Sequence, residues 1–168
     1  VAEWGDFKLS MLSWRNSRLV DVTSDWFPNN TNIILGTEPS VKFADFFKTG
    51  RNDMFVSTST DMQHYGPTYF FRNTGTSFER QVLTTANIWS HDSAIGDLDG
   101  DGYTDIAMID YGPNTTLAFN NKVSGFNVYT QDPDLTQLYT GSSVAIGNFM
   151  QDSSGRAQLI VTDTPGNP

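Results

Sequence analysis

Cysteine is absent from the 168 residues. That excludes thiol catalysis, a Cys-ligated zinc site and a disulfide framework, and it leaves the compartment open. Basic residues are scarce. Ten Lys and Arg stand against 19 Asp and Glu, for a net charge of −9. A nucleic-acid or anionic-membrane surface needs clustered Lys and Arg, so neither partner is expected; the balance suits cation binding. No apolar run approaches the roughly 18 residues of a membrane span, so membrane insertion is not expected. The opening Val1-Ala2-Glu3-Trp4 lacks the basic start and apolar core of a signal peptide. Either a leader has been removed or the chain is an internal segment. Apolar spacing of three and four is nowhere sustained, so long helices are not expected.

Aromatics are 13% of the chain and charged residues only 17%, which argues against disorder. A chain of this length buries about 70% of its unfolded surface without disulfide staples. Short runs rich in Val, Ile, Phe, Tyr and Thr recur between Gly, Pro, Asn and Asp clusters: Asn32–Leu35, Met54–Ser57, Thr68–Phe71, Ile106–Ile109, Thr116–Phe119 and Leu159–Thr162. They predict an all-β sandwich, barrel or propeller.

Internal repetition decides among these. An apolar strand, an Asp or Asn, a Gly-containing loop and a second apolar strand occur in that order at Val41–Val56, at Ala94–Met108 and at Val144–Val161. A looser copy opens the chain at Trp4-Gly5-Asp6-Phe7, with a longer loop before Arg18–Val22. The Asp or Asn that ends the first strand stands at positions 6, 45, 97 and 148, at intervals of 39, 52 and 51 residues. A turn with Pro28, Pro67, Pro113 or Pro165 follows each copy, and in three of them a further strand ending in Gly or Asn comes next. Ser77-Phe78 and Gly125-Phe126 are placed to start a fourth strand. A four-strand unit at such intervals is a propeller blade. The blades fall at approximately 1–40, 41–90, 91–140 and 141–168, the last lacking its two outer strands. The chain is therefore expected to be a segment of a longer protein, or to be completed by strands from neighbouring copies.

The sharpest local signal is Asp97-Leu98-Asp99-Gly100-Asp101-Gly102-Tyr103-Thr104-Asp105. Carboxylates at loop positions 1, 3, 5 and 9 converge when alternate residues of a tight loop point inward. Gly102 at position 6 permits the turn, and the Tyr103 carbonyl at position 7 adds an oxygen. Hard all-oxygen ligands suit Ca²⁺. An EF-hand would need Glu at position 12, where Met108 stands, and helices rather than strands on both sides. No Lys or Arg lies within the nine residues to balance the acids. The other loops are degenerate. Phe47 and Thr49 replace the middle carboxylates between Asp45 and Asp53. Asn148, Asp152 and Gln158 remain in the last copy. These turns are expected to hold by hydrogen bonds alone.

The run Ile95–Ile106 resembles the FG-GAP or VCBS repeat, which builds the propellers of integrin α chains and of many extracellular proteins. Phe43-Ala44-Asp45-Phe46 and Ile146-Gly147-Asn148-Phe149 are similar to weaker copies of the same element. The resemblance implies a partial β-propeller of about three and a half four-stranded blades. It implies structural Ca²⁺ held by the side chains of Asp97, Asp99, Asp101 and Asp105 and the carbonyl of Tyr103. It also implies an extracellular or cell-surface setting, with work as an adhesin, a lectin, a toxin subunit or a domain beside a polysaccharide-acting enzyme.

No catalytic residues are assigned, and the chain is read as non-enzymatic. His64 and His91 read as loop or strand-edge residues, and neither a Gly-x-Ser-x-Gly elbow nor a phosphate-cradling loop occurs. Most Asp residues that a paired-carboxylate glycosidase would need are absorbed by repeat loops and turns. Trp4 and Trp89 are expected to pack between blades. Trp26, Tyr65 and Tyr111 lie near the Pro turns and are candidates for contact with a protein or carbohydrate ligand. Sequons at Asn29 and Asn114 follow Pro28 and Pro113 at the equivalent turn and are candidates for glycosylation. The sequence thus predicts a calcium-stabilised extracellular scaffold for adhesion or recognition. Its alternatives are a structural subunit that self-assembles with neighbouring copies, and a non-catalytic domain attached to a secreted enzyme or toxin.

Overall fold

A computed structural model describes residues 9–29, 39–57, 68–84, 90–110, 115–130, 141–151, 153 and 156–163. Trp4, Trp89, the Asn32–Leu35 run, His64 and Asp152 lie outside the described residues.

The chain forms successive antiparallel sheets. A hairpin of β1 (Leu12–Arg15) and β2 (Arg18–Asp21) leads into one helical turn, α1 (Thr23–Trp26). A four-stranded sheet follows in the order β3 (Ser40–Ala44), β4 (Asp53–Ser57), β5 (Thr68–Asn73) and β6 (Phe78–Thr84). A second four-stranded sheet repeats the order with β7 (Ser90–Gly96), β8 (Asp105–Asp110), β9 (Thr115–Asn120) and β10 (Phe126–Thr130). The last pair is β11 (Gly141–Gly147) with β12 (Gln158–Asp163). The all-β expectation and the two complete four-strand units are thus observed.

The N-terminal unit departs from the sequence reading. The strand expected at Arg18–Val22 is observed as β2, but the stretch read as a long loop before it contains β1, with which β2 forms a hairpin. Asn16 and Ser17 carry φ of 50° and 59°, the left-handed pair that a two-residue hairpin turn of matching twist requires. Leu12, Trp14 and Leu19 are 55%, 70% and 61% exposed. The hairpin therefore gives no burial pattern by which a strand is recognised. Beyond it, α1 turns Val22 and Phe27 into the interior, where both are 1% exposed.

Strand alternation explains how the sheets stack. Successive side chains point to opposite faces, so each central strand serves two interiors. Met54 and Val56 of β4 and Phe71 of β5 pack with Phe27 on the N-terminal side. Phe55 and Phe70, from the same two strands, face the other way and meet Ile106, Met108 and Ala118 of the next sheet. Ala107 and Ile109 of β8 face on again to Val144. Phe46, Phe47, Phe70 and Phe126 fill the middle interior with mutual ring contacts at 5.1–5.8 Å, a geometry that adds to simple area burial.

The first strands of successive sheets lie side by side, β3 against β7 and β7 against β11. Gly96 marks how close the second approach is, because a Cβ there would lie 2.4 Å from Ile146 Cγ2. Asp92 on β7 stitches the row. Its Oδ2 accepts from Ser143 Oγ at 3.0 Å and from the Val144 N–H at 3.1 Å, and its Oδ1 lies 3.7 Å from Lys42 Nζ of β3.

Candidate metal centre

The loop joining β7 to β8 is built around the Asp97 carboxylate. Its Oδ1 accepts from the N–H groups of Gly100 and Asp101 at 2.9 and 3.0 Å, and its Oδ2 from Gly102 at 2.7 Å. Such a close wrap needs left-handed backbone, supplied by Gly100 at φ 79° and Gly102 at φ 84°. Asp105 closes the loop from the start of β8 and is fully buried. Its Oδ2 accepts from the Leu98 N–H and its Oδ1 from the Asn120 N–H, both at 2.8 Å. Burial pushes the Asp105 carboxyl above its ordinary value. The two N–H donors oppose that shift, and the charges of Asp99 and Asp101 add to it.

Oxygens of Asp97, Asp99 and Asp105 lie within 4.8 Å of one another. Each carboxylate oxygen has two lone-pair directions, so the oxygens that accept a single N–H, Asp97 Oδ2, Asp99 Oδ1 and both of Asp105, keep capacity for a cation. The donor set is hard, anionic and all oxygen, and it fits Ca²⁺.

The fourth expected carboxylate is engaged elsewhere. Asp101 Oδ2 lies 2.9 Å from Lys122 Nζ, and its Oδ1 accepts from the Tyr103 N–H at 2.8 Å. Burial raises the Asp101 pKa, but the Lys122 bond, the Tyr103 N–H and the charges of Lys122 and Lys48 outweigh it and hold the carboxyl below its usual range. The Tyr103 ring lies under Lys48 Nζ, 4.1 Å from the ring centroid. Two cations thus reach the loop, both from other loops, where the nine-residue run itself has none.

The degenerate loop between β3 and β4 keeps the same frame. Asp45 Oδ1 accepts from Thr49 N–H and Oδ2 from Gly50 N–H, both at 2.7 Å. Left-handed backbone recurs at Lys48 and Gly50. Asp53 Oδ1 accepts from the Asn73 N–H at 2.8 Å, as Asp105 does from Asn120. Asn73 Nδ2 then donates to the Asn52 carbonyl, and Asn120 Nδ2 to the Thr104 carbonyl. Asn120 Nδ2 also donates to the Phe46 carbonyl at 2.7 Å, which latches one loop to the other. Sequence reasoning noted the Asn residues ending these strands but not this role. In the last loop, Gln158 Oε1 accepts from the Met150 N–H at 3.0 Å.

Residues 45–108 match the family model of the FG-GAP-like repeat. The chain carries an FG-GAP-like repeat. The matched span runs from the first residue of one Asp loop, through β4 to β7 and the whole of the next Asp loop, into β8. No curated protein sequence matches the chain. The FG-GAP-like repeat and the stacked antiparallel sheets make this a propeller-type scaffold.

The remaining candidates are dispersed. Trp26 is half-buried, its ring 5.6 Å from that of Phe78, and it packs against the N-terminal core. Tyr65, Tyr111 and Asn114 lie outside the described residues. Asn29 is exposed after Pro28. The most exposed aromatic among the described residues is Trp14, on the hairpin.

Proposed function

We propose that this chain is an extracellular, calcium-stabilised propeller scaffold whose work is recognition of a protein or carbohydrate. The observation that carries the reading is the convergence of Asp97, Asp99 and Asp105 within 4.8 Å at the turn between β7 and β8. A cation there ties the two strands and offsets the repulsion of the acids. Extracellular modules hold Ca²⁺ with dissociation constants of about 10⁻⁴–10⁻³ M, so calcium outside a cell fills such a site and cytosolic calcium does not. The role supported is mechanical. The carboxylates of Asp97 and Asp105 are held in place by backbone N–H groups of the loop and of β9.

The test is thermal melting in calcium and in chelator. At a tenfold excess over the dissociation constant, calcium adds about 1.4 kcal/mol, which raises Tm by about 3–6 °C for a chain of this size. Asp99→Ala is expected to abolish that rise and to melt close to the parent in chelator. Equal losses in both conditions, or a parent indifferent to calcium, would refute the reading.

A further inference from the structure

We propose that the groove between the Asp97–Asp105 loop and β10 is a saccharide subsite, holding one neutral pyranose ring against Tyr129. The proposal rests on the recognition reading above and names its ligand class. The groove is shallow and open to solvent, with a volume of about 500 Å³. Its lining includes Asp99, Asp101, Lys122, Phe119, Asn127 and Tyr129.

Tyr129 is 56% exposed, while its neighbour Val128 packs into the middle interior. Phe119 meets the ring edge-on at 5.8 Å and 71°, which fixes its plane. The groove thus offers a rigid apolar face with a hydroxyl tip. Around it stand a carboxylate that only accepts, an amide that both donates and accepts, and an ammonium that only donates. A pyranose presents the complement, a face of C–H groups rimmed by hydroxyls that donate and accept. The Asp101–Lys122 pair closes at 2.9 Å, so its two charges offset each other, and with Asp99 engaged by the cation proposed above the groove suits an uncharged ligand better than a basic peptide.

The preceding sheet shows how the equivalent positions stand beside a complete neighbour. Glu79 and Gln81 hold there the register positions of Asn127 and Tyr129, opposite Arg72 and Phe70 as the latter pair is opposite Phe119 and Leu117. The next four-stranded sheet packs on that face through Phe55 and Phe70, yet Glu79 is exposed and Gln81 only half-buried. Outer strands diverge where inner ones converge. The aromatic pair is what sets the β10 groove apart.

A single ring of about a dozen non-hydrogen atoms binds with a Kd on the order of 1 mM. Saturation-transfer NMR in calcium, with methyl β-glucopyranoside, methyl β-galactopyranoside and N-acetylglucosamine as probes, is matched to that range. The expected result is saturable transfer to at least one glycoside. Tyr129→Ala should weaken it by about tenfold or more and Tyr129→Phe by less than about threefold, with the calcium-dependent Tm rise intact in both variants. No transfer from any of the probes overturns the subsite, and an intact Tm rise then leaves the scaffold reading standing. Transfer indifferent to Tyr129→Ala places the sugar elsewhere and also overturns it. Hexalysine shifting the Tyr129 and Asn127 resonances while the sugars do not makes the groove a basic-peptide site, and overturns it too. Tyr129-dependent sugar binding without any calcium effect on Tm supports the subsite while refuting the calcium reading.

Discussion

Asp53 and Asp105 occupy equivalent positions and differ in one hydrogen bond. Both receive a strand-end Asn N–H on Oδ1. Asp105 Oδ2 has the Leu98 N–H, whereas Asp53 Oδ2 is buried without a partner among the described residues. Burial raises the Asp53 pKa above 3.8; the Asn73 N–H and the charges of Arg72 and Arg51 oppose it, and Asp45 adds to it. The folded state therefore holds this proton to higher pH than the unfolded chain does. In the window above 3.8 and up to the raised value, the native state binds more protons, so stability falls as pH rises. Urea unfolding between about pH 4 and pH 7 should show Asp53→Asn losing less stability across that window than the parent; parallel curves would contradict the assignment. Lys122 is the second residue-scale test. It occupies Asp101 and repels an incoming cation, so Lys122→Ala should tighten calcium binding by about two- to fivefold, the range of an exposed ion pair, as read by calorimetry. Weaker binding would mean that Lys122 orders the loop. The repeat loop was legible in the sequence because its carboxylate spacing is local. Lys122 and Asp92 were not, because each acts on partners supplied by other segments, and nothing local marks such a contact.

At the scale of elements, the tightest fit is between β7 and β11. A methyl at position 96 would meet the β-branched Ile146 at 2.4 Å for Cγ2 and 3.1 Å for Cβ, so a strand must move rather than a side-chain tip. Gly96→Ala should cost about 1–3 kcal/mol, the usual penalty of overpacking. Ile146→Ala should recover part of it, because the added methyl then has room. A double-mutant cycle by urea denaturation reads the coupling; additive losses would place the strain elsewhere. Strands β4, β5, β8, β9 and β12 were legible as apolar runs between turn residues. Strand β2 was legible too, but its partner β1 was not, since Leu12 and Trp14 are turned outward, and propensity alone does not separate a solvent-facing strand from a loop. The inner row of strands was legible only as a corollary of the blade, while its stitch through Asp92 and its close approach at Gly96 belong to tertiary packing.

For the molecule as a whole, the two sides of each central strand lead to different interiors, and this makes the fold sensitive to parity. Ile106 and Met108 look back to the preceding sheet while Ala107 and Ile109 look forward to the next. One residue inserted after Ala107 would send Met108 forward and Ile109 back, exchanging the occupants of two cores that differ in size and shape. Two inserted residues would lengthen the strand but return both side chains to their own sides. The smaller lesion should therefore be the more damaging, with the urea midpoint of a single-alanine insertion lying below that of an alanine-valine insertion at the same point. A loss that grew steadily with insertion length would count against it. Along this chain, in other words, an even change of length is a disturbance of extent, and an odd one is a disturbance of identity.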